Sequence, residues 1–425
     1  MSTSSTSTPS FSSSSPGTDD ALSLLRARGF VQQLTDEAAL AARLAAGPLT
    51  FYAGFDPTAA SLHVGHYIPL MAMAHLARAG HQAIAVLGGG TAMVGDPSGK
   101  TEMRQLISAE TIATNRASIE PQVRRIIGAS ARIVDNAEWL LPLNYIAFLR
   151  DIGRYFSVNR MLAAEAYKVR LEKGLSFIEF NYQLLQAYDF LALYDRFGCG
   201  LQIGGDDQWG NILAGTDLIR RLRQHDAFGL TFPLLTTASG AKMGKTAAGA
   251  VWLDGAMTTP FDFFQYFVNV DDQDVIRFLK LLTFVPMDEI HGYQALVGAA
   301  IREAKQRLAY EVTKIVHGQE KADEVAASVR GALGGAGGAS AGPLTGLPTV
   351  TIDGARLREG IKIVDLIVEL GFAPSKSAAR RLVEQGGVKV GERDVASVED
   401  LLLPEEGGAL LRVGKKRVGQ LKTSE

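Results

Sequence analysis

The chain has 425 residues, which is long for a single hydrophobic core and predicts two or three domains. Its single cysteine, Cys199, excludes an internal disulfide framework and a cysteine-ligated zinc cluster, and the formal net charge of −2 means that any nucleic-acid contact must come from a local basic patch. Because no run of about 18 uncharged apolar residues occurs, we expect no membrane-spanning segment and a cytoplasmic protein.

The first 18 residues are rich in serine, threonine and proline, and they are predicted to be a disordered tail because they contain too few apolar side chains to form a core. A transit peptide is the alternative, but such peptides are rich in arginine and no basic residue precedes Arg26. The spacing of leucine and alanine over residues 21–46 then predicts a helix that ends near Gly47.

A strand, a helix and a second strand follow. Apolar runs at 49–55 and 82–87 predict buried strands, and residues 65–79 have the period of a helix that is stopped by Gly80. This order is that of a right-handed parallel crossover unit, whose ligands bind at the carboxyl ends of the strands. The sequence therefore predicts a ligand site within residues 51–66, where the first strand leads into the helix.

Segment 51–66 carries chemically useful side chains at both of its ends. Tyr52 and Asp56 lie at the end of the predicted strand, and His63 and His66 lie at the start of the helix. The first turn of a helix has unpaired N–H groups and a partial positive charge, so it attracts phosphate. Two imidazoles added there predict a site for an anion that gains negative charge during a reaction.

Two glycine-rich segments, 95–101 and 240–246, resemble a phosphate-binding P-loop, but each has one residue too few between its glycines. Each nevertheless places lysine beside flexible backbone, which suits phosphate bound with another geometry. The alternative is that both segments are surface turns with solvated lysines.

Residues 104–160 are predicted to be mainly helical. The helix predicted over residues 176–190 then places Tyr182, Gln186 and Asp189 on one stripe. Such a stripe either forms an outer face or lines a polar pocket, and the residues alone favour the outer face.

A short strand leads into a further helix over residues 201–211. The glycines at this turn would let a ligand approach the backbone, and Asp207 and Gln208 could bind hydroxyl groups, as carboxylates bind ribose in nucleotide-binding sheets. An aspartate could instead cap the start of the helix, and the two roles are compatible.

Amphipathic helices follow from Pro260 and are succeeded by a linker rich in glycine and alanine. The helices are predicted over 261–268, 272–283, 287–297 and 303–317, and the linker over 331–346. Beyond the linker, a small α+β module is predicted from segments 362–369, 376–385, 388–390 and 410–418. Two basic clusters in this module suit a phosphate backbone: Lys376, Arg380 and Arg381, and Lys415, Lys416 and Arg417.

Three short motifs resemble the signatures of class I aminoacyl-tRNA synthetases: HVGH at 63–66, KMGKT at 242–246 and GGDDQWGN at 204–211. Over residues 20–425 the chain more narrowly resembles bacterial-type tyrosyl-tRNA synthetases. Four features carry this resemblance by their order and spacing: the stretch that begins at Tyr52, the GDPSGK segment, the helical stripe and GGDDQWGN. This resemblance implies an α/β fold, in which a Rossmann-like parallel-sheet catalytic domain is followed by an α-helical domain and a small α+β RNA-binding module similar to a ribosomal small-subunit protein.

The resemblance also implies domain boundaries. They are a disordered tail at 1–18, the catalytic domain at 19–240 with a helical dimerisation insertion near 143–178, a signature loop and connector at 241–258, a helical anticodon-side domain at 259–332, a flexible linker at 333–356 and the RNA-binding module at 357–425.

The same resemblance implies three sets of site residues. Tyrosine would be bound by Tyr52, Asp96, Tyr182, Gln186, Asp189 and Gln202. ATP would be bound by Gly54, Asp56, His63, Gly65, His66, Gly205, Asp207, Gln208, Lys242 and Lys245. Catalytic contacts to the phosphates would come from Thr58, His63, His66, Lys100, Arg104, Lys242, Lys245 and Thr246, and the two basic clusters of the C-terminal module would bind tRNA.

The implied enzyme is a ligase that activates L-tyrosine with ATP to tyrosyl-adenylate and pyrophosphate. It then transfers the tyrosyl group to the 3′-terminal adenosine of tRNA(Tyr). Relatives are homodimers, so a homodimer is expected. No tightly bound cofactor is expected, and Mg²⁺ would enter with ATP as part of the substrate.

Three positions depart from the pattern of the family. Ala53 stands where some members have a cysteine that can touch the ribose, Gly244 replaces a serine of the general signature, and Asp206 stands where many relatives carry serine. Three other functions remain as alternatives: a tryptophan-specific synthetase, an RNA-binding scaffold with a degenerate active site, and a small-molecule nucleotidyltransferase. The pair of Tyr52 and Asp189 argues against a tryptophan-specific synthetase. The intact HVGH motif and the signature lysines argue against a degenerate active site, and the additional domains argue against a small-molecule nucleotidyltransferase.

Overall fold

The computed structural model describes residues 21–98, 107–238, 240, 243–246, 249–333, 348–414 and 417–424, with backbone alone at 165–166, 169, 245–246 and 331–333. In the N-terminal half the helices are α1 (Ala21–Arg28), α2 (Glu37–Ala45), α3 (Val64–Arg78), α4 (Ala109–Ile127), α5 (Ala137–Leu140), α6 (Tyr145–Asp151), α7 (Val158–Leu162), α8 (Glu165–Leu171), α9 (Phe177–Phe197) and α10 (Trp209–Arg223). Helices α11 (Pro260–Val268), α12 (Val275–Leu282), α13 (Met287–Tyr293), α14 (Ile301–His317), α15 (Gln319–Leu333), α16 (Gly354–Glu359), α17 (Ile363–Glu369) and α18 (Lys376–Glu384) follow.

The strands form three sheets. The largest contains β1 (Gln33–Leu34), β2 (Thr50–Phe55), β3 (Gln82–Leu87), β4 (Arg132–Asp135), β5 (Cys199–Gly205) and β6 (Phe228–Phe232), and a two-stranded sheet pairs β7 (Lys245–Thr246) with β8 (Gly249–Ala250). The third sheet contains β9 (Thr349–Asp353), β10 (Val388–Val390), β11 (Arg393–Asp394), β12 (Leu410–Val413) and β13 (Arg417–Ser424).

The described residues form two compact units. One contains Met1–Thr258 with Asn269–Val316, and the other contains Thr259–Val268 with His317–Glu425. The helices predicted for a separate domain at 259–332 therefore divide between the two units, so the boundaries of that domain stay a prediction. No helix in the part of the chain that the structure describes is long and apolar enough to cross a membrane.

The large sheet has the order β1-β6-β5-β2-β3-β4, and only the short edge strand β1 runs antiparallel to its neighbour. The predicted crossover of β2, α3 and β3 is confirmed, because β2 and β3 pair in parallel with Tyr52 opposite Ile84. The other neighbour of β2 is β5, with Tyr52 opposite Gln202. The chain therefore reverses its winding between β2 and β5, and the carboxyl ends of strands at such a switch point form a ligand crevice.

One sequence-based assignment in this unit is wrong. The segment predicted as one helix over 21–46 is two helices, because Gly29 takes a left-handed φ of +88° and the next helix begins only after Asp36, whose carboxylate accepts a hydrogen bond from the Ala39 N–H at 2.9 Å. The prediction that residues 104–160 are mainly helical is confirmed where they are described, and the segment also contains strand β4. That edge strand has only two apolar residues, Ile133 and Val134, between two charged ones, so it gave no buried-strand signal.

The C-terminal α+β module is confirmed, with its own core and its own sheet. The sheet has the order β11-β10-β12-β13-β9, with a parallel pair only between β13 and β9. Fully buried side chains such as Ile352, Leu366 and Leu411 form its core. The segment 410–418, which the sequence assigned to this module, contains β12 and the start of the antiparallel β13, and Gly414 between them has a φ of +64°.

Candidate active site

The phenol of Tyr52 and the carboxylate of Asp189 lie in the core at the switch point. Tyr52 is only 2% exposed, and its hydroxyl has no hydrogen-bond partner among the described residues. Its ring packs on Phe190 with a centroid distance of 5.2 Å. Burial, followed by the nearby charge of Asp189, raises the pKa of Tyr52 well above its usual value. A buried hydroxyl left without a partner is costly, so this one is suited to a polar ligand group.

Asp189 is fixed by two side chains that were not predicted as site residues. The Trp139 indole N–H donates to its Oδ1 at 2.7 Å, and the Asn136 amide donates to its Oδ2 at 2.9 Å. Burial raises the pKa of Asp189 to about 7, although these two hydrogen bonds oppose the rise. Both oxygens are therefore held as acceptors, and a ligand hydroxyl that donates to one of them would further favour the ionised form.

Asn136 and Trp139 could have been found only from a strand that the sequence did not reveal. Both follow the carboxyl end of β4, where residues of a parallel sheet reach the ligand crevice. Asn136 also donates to the Thr91 hydroxyl at 2.9 Å, and that hydroxyl donates to Asp56 at 2.8 Å. The hydroxyl of Tyr182 donates to the other oxygen of Asp56 at 3.2 Å.

The stripe on α9 is a pocket wall, so the outer face that the residues alone favoured is wrong. Tyr182 and Asp189 are 5% and 4% exposed, because α10 and the sheet cover this side of α9. Gln186 accepts a hydrogen bond from the Asn211 amide at 3.1 Å. Periodicity identifies residues that share a face, but the covering elements decide whether that face is wet.

A second polar group lies where the loop after β3 meets the turn after β5. Asp96 is buried, and its two oxygens accept from the Ser98 N–H and from the Gln208 amide, both at 2.8 Å. Burial raises the pKa of Asp96, against the effect of these hydrogen bonds. Gln202 on β5 is 3% exposed, and its Oε1 has no partner among the described residues. A ligand that carries a cation or several N–H donors would satisfy both groups.

The two histidines form the entrance to α3. The Nδ1 of His63 accepts a hydrogen bond from the Gly65 N–H at 3.0 Å, and the Nδ1 of His66 accepts from the His63 N–H at 3.3 Å. The two rings stack with centroids 4.0 Å apart. Because each Nδ1 is an acceptor, the neutral form of each ring carries its proton on Nε2. Each imidazole can therefore donate a hydrogen bond from Nε2.

The remaining predicted nucleotide residues lie around the same crevice. Gly54 and Thr58 are exposed, and the Thr58 N–H donates to the Asp56 carbonyl at 2.8 Å. Asp207 is exposed in the turn after β5, where its Oδ1 would lie 2.6 Å from a Cβ added to Gly205. Glycine at position 205 therefore leaves room for this carboxylate.

Several predicted catalytic residues cannot be assessed. Lys100, Arg104 and Lys242 lie outside the described residues, and so do the side chains of Lys245 and Thr246. Among the described residues, no group of three or more His, Cys, Asp or Glu side chains is placed to hold a metal ion.

The predicted tRNA-binding residues are exposed where they are described. Arg380 and Arg381 are exposed on α18, and Lys376 forms an ion pair with Asp365 at 2.9 Å. Arg417 donates to the carbonyl of Phe372. Lys415 and Lys416 lie outside the described residues.

Comparison with known proteins identifies the family. The family model described as class I tRNA synthetases (W and Y) matches residues 44–334, and the S4 domain model matches residues 361–406. A tyrosine–tRNA ligase from Clostridium tetani is 51% identical over 406 residues, which cover 94% of this chain and 98% of the relative. The chain belongs to the tyrosine–tRNA ligase family. The tyrosine–tRNA ligase of Treponema pallidum is 50% identical over 410 residues, which cover 95% of this chain and 98% of that relative.

A solved member of the tyrosyl-tRNA synthetase family has the same fold. The C-terminally truncated mitochondrial enzyme of Aspergillus nidulans aligns with a TM-score of 0.66 at 31% identity, covering 73% of this chain and 94% of that one. The fold predicted from the resemblance, with an α/β catalytic domain and a C-terminal S4-type module, is confirmed.

Proposed function

We propose that this chain activates L-tyrosine with ATP to form tyrosyl-adenylate and pyrophosphate, and that it then transfers the tyrosyl group to the 3′-terminal adenosine of tRNA(Tyr). The observation that carries this proposal is the pair of hydroxyl-seeking groups at the switch point. The Tyr52 hydroxyl is buried and has no hydrogen-bond partner in the described part of the chain, and Asp189 is buried with its carboxylate held by Asn136 and Trp139.

The phenolic hydroxyl of tyrosine satisfies both groups at once. It would donate to a carboxylate oxygen of Asp189 and accept from the Tyr52 hydroxyl. Phenylalanine would fill the same space but would give the buried Tyr52 hydroxyl no acceptor and Asp189 no further donor, which is unfavourable. An indole suits the pair poorly, because its N–H can donate to Asp189 but it has no oxygen to accept from Tyr52. The pocket chemistry therefore favours tyrosine over tryptophan.

The charged end of the amino acid would lie at the second polar group. The α-ammonium would donate to Asp96, Tyr182 and Gln186. Gln202 would accept from the substrate through its Oε1, for which no described residue supplies a hydrogen bond. An ammonium beside Asp96 favours the ionised carboxylate and would lower the pKa that burial raises. This arrangement fixes the carboxylate of tyrosine with respect to ATP.

The carboxylate of tyrosine is already a nucleophile, so its attack on the α-phosphorus needs no general base. The new bond joins the carboxylate oxygen to that phosphorus, and pyrophosphate leaves with its bonding electrons. The task of the protein is then positioning and stabilisation of charge on the phosphates. The Nε2–H groups of His63 and His66 and the first turn of α3 would donate to these oxygens, with Thr58 nearby.

Further groups would complete the nucleotide site. Asp207 would bind the ribose, with Gly54, Gly65 and Gly205 giving it close access to the backbone. Lys100, Arg104, Lys242, Lys245 and Thr246 would bind the departing pyrophosphate. Mg²⁺ would enter as part of the ATP substrate and reduce the charge on its phosphates.

We also propose a homodimer formed through the insertion between β4 and α9. Among the described residues, eight of the fourteen exposed large hydrophobic side chains lie between 141 and 178, including Ile146 and Phe177 at 70% exposure each. Apolar groups concentrated in this way mark a protein interface.

The backbone of tRNA would be bound by basic side chains of the C-terminal module: Lys376, Arg380, Arg381, Lys415, Lys416 and Arg417.

Isolation of the intermediate tests the two-step reaction. Purified protein is mixed with labelled tyrosine, ATP and Mg²⁺ without tRNA, and it is then separated from free ligands by gel filtration. We expect tyrosyl-adenylate to remain bound, and we expect added tRNA(Tyr) to receive the label without further ATP. Failure to form any tyrosyl-adenylate in the absence of tRNA would contradict this order of steps.

A further inference from the structure

Asp206 joins the nucleotide-site turn to two strands of the large sheet. Its Oδ1 accepts one hydrogen bond from the Gln33 amide at 2.6 Å and a second from the Thr231 hydroxyl at 2.9 Å. Gln33 and Thr231 are opposite each other in the β1–β6 pair, and Thr231 is fully buried. One carboxylate oxygen therefore holds the turn against the edge strand and its neighbour.

The turn is short, so its orientation depends on few bonds. Residues 206–208 form a single 3₁₀ turn between β5 and α10. Asp206 reaches β1 and β6, whereas the next carboxylate, Asp207, lies over Gly205. Gln208 donates to Asp207 at 3.2 Å and to Asp96 at 2.8 Å. A rotation of this turn would move Asp207 and Gln208 together.

We propose that Asp206 is a positioning residue that acts through Asp207 on the affinity for the ribose of ATP. The inference rests on the proposed ribose contact of Asp207. The effect comes from the two accepted hydrogen bonds rather than from the charge of Asp206. A serine at this position would carry its oxygen one bond nearer the backbone, so it could not accept from both partners in the same way.

Three variants test this inference. Asp206→Ala removes the acceptor and should raise the KM for ATP in pyrophosphate exchange by about threefold to tenfold, because the turn loses both hydrogen bonds that hold it against β1 and β6. The KM for tyrosine should rise by less, because Asp96 keeps its hydrogen bond from the Ser98 N–H even when Gln208 moves with the turn. Asp206→Asn keeps the acceptor oxygen and should remain within about twofold of the wild type. Asp226→Ala removes an exposed carboxylate on a neighbouring loop and should change neither KM.

A nucleotide whose sugar lacks the 2′- and 3′-hydroxyl groups separates positioning from general damage. The Kd for ATP and for 2′,3′-dideoxy-ATP is measured by equilibrium dialysis, which does not depend on turnover. The proposal predicts that Asp206→Ala weakens ATP binding and leaves dideoxy-ATP binding unchanged. Gln33→Ala should have a similar but smaller effect, and the double variant should be less than additive because one bond is shared. Gln33→Ala also supplies the test if Asp206→Ala fails to fold.

The results distinguish this inference from the proposed function. Equal weakening of both nucleotides, or no weakening of either, would overturn the role of Asp206. If Asp207→Ala leaves ATP affinity unchanged, the ribose contact of Asp207 is wrong and the role of Asp206 falls with it. If wild-type protein binds ATP but exchanges no pyrophosphate with tyrosine, the proposed function is wrong, whereas the dialysis comparison still decides the role of Asp206.

Discussion

Replacement of Tyr52 by phenylalanine should separate substrate recognition from folding. The lost hydroxyl has no hydrogen-bond partner among the residues that the structure describes, so its removal should leave the free energy of unfolding unchanged or raise it by up to about 1 kcal/mol. With tyrosine bound, the variant loses one neutral hydrogen bond of about 0.5–1.5 kcal/mol, which corresponds to a fall in kcat/KM for tyrosine of about twofold to twelvefold. With phenylalanine as substrate, kcat/KM should not fall.

Tyr67→Phe is the matched control. The Tyr67 ring is also fully buried, but its hydroxyl donates to the Leu282 carbonyl at 3.1 Å. Its removal leaves that acceptor unpaired and should lower stability by about 1 kcal/mol, with little change in kcat/KM for tyrosine. Urea unfolding and pyrophosphate exchange measure the two effects. The reasoning would be refuted if Tyr52→Phe lost stability as Tyr67→Phe does while retaining full activity with tyrosine.

Three further predictions follow from charge, domain organisation and exposed surface. Burial raises the pKa of Asp189 to about 7, so the native state keeps a proton that the unfolded state loses at about pH 4. As the pH rises from about 4 to about 7, the free energy of unfolding of the wild type should therefore fall by up to about 4 kcal/mol relative to that of Asp189→Asn. Urea unfolding at each pH measures this difference, and parallel curves for the two proteins would contradict it. Removal of residues 347–425 should spare pyrophosphate exchange and strongly reduce tRNA charging, whereas equal loss of both would count against a separate tRNA-binding role. Ile146→Asp should dissociate the proposed dimer in sedimentation measurements, while Val297→Asp, at an even more exposed apolar position, should not. A dimer that survives Ile146→Asp would exclude this face.

Much of the site was predictable because its residues lie in local motifs. The strand ending near Tyr52 and Asp56, the helix that begins at His63, and the turn at Asp207 are each encoded within a few residues. The parallel crossover then brings the carboxyl ends of the strands to one edge of the sheet. Local sequence patterns therefore indicated which residues lie near the crevice.

The missing parts depend on contacts between distant segments. Asn136 and Trp139 reach Asp189 only because the four-residue strand β4 joins the sheet beside β3. The stripe on α9 is buried because other elements cover it, which no helical period can report. Asp206 could not be interpreted from sequence, since its partners come from a two-residue edge strand and from the neighbouring β6.

Pyrophosphate exchange compared across amino acids tests the central claim most directly. Purified, folded protein is assayed with ATP, labelled pyrophosphate and either tyrosine, phenylalanine or tryptophan. The account predicts rapid exchange that depends on tyrosine, with much lower kcat/KM for phenylalanine and tryptophan, because only tyrosine pairs with both Tyr52 and Asp189. Absence of exchange with tyrosine, or a preference for tryptophan, would contradict it.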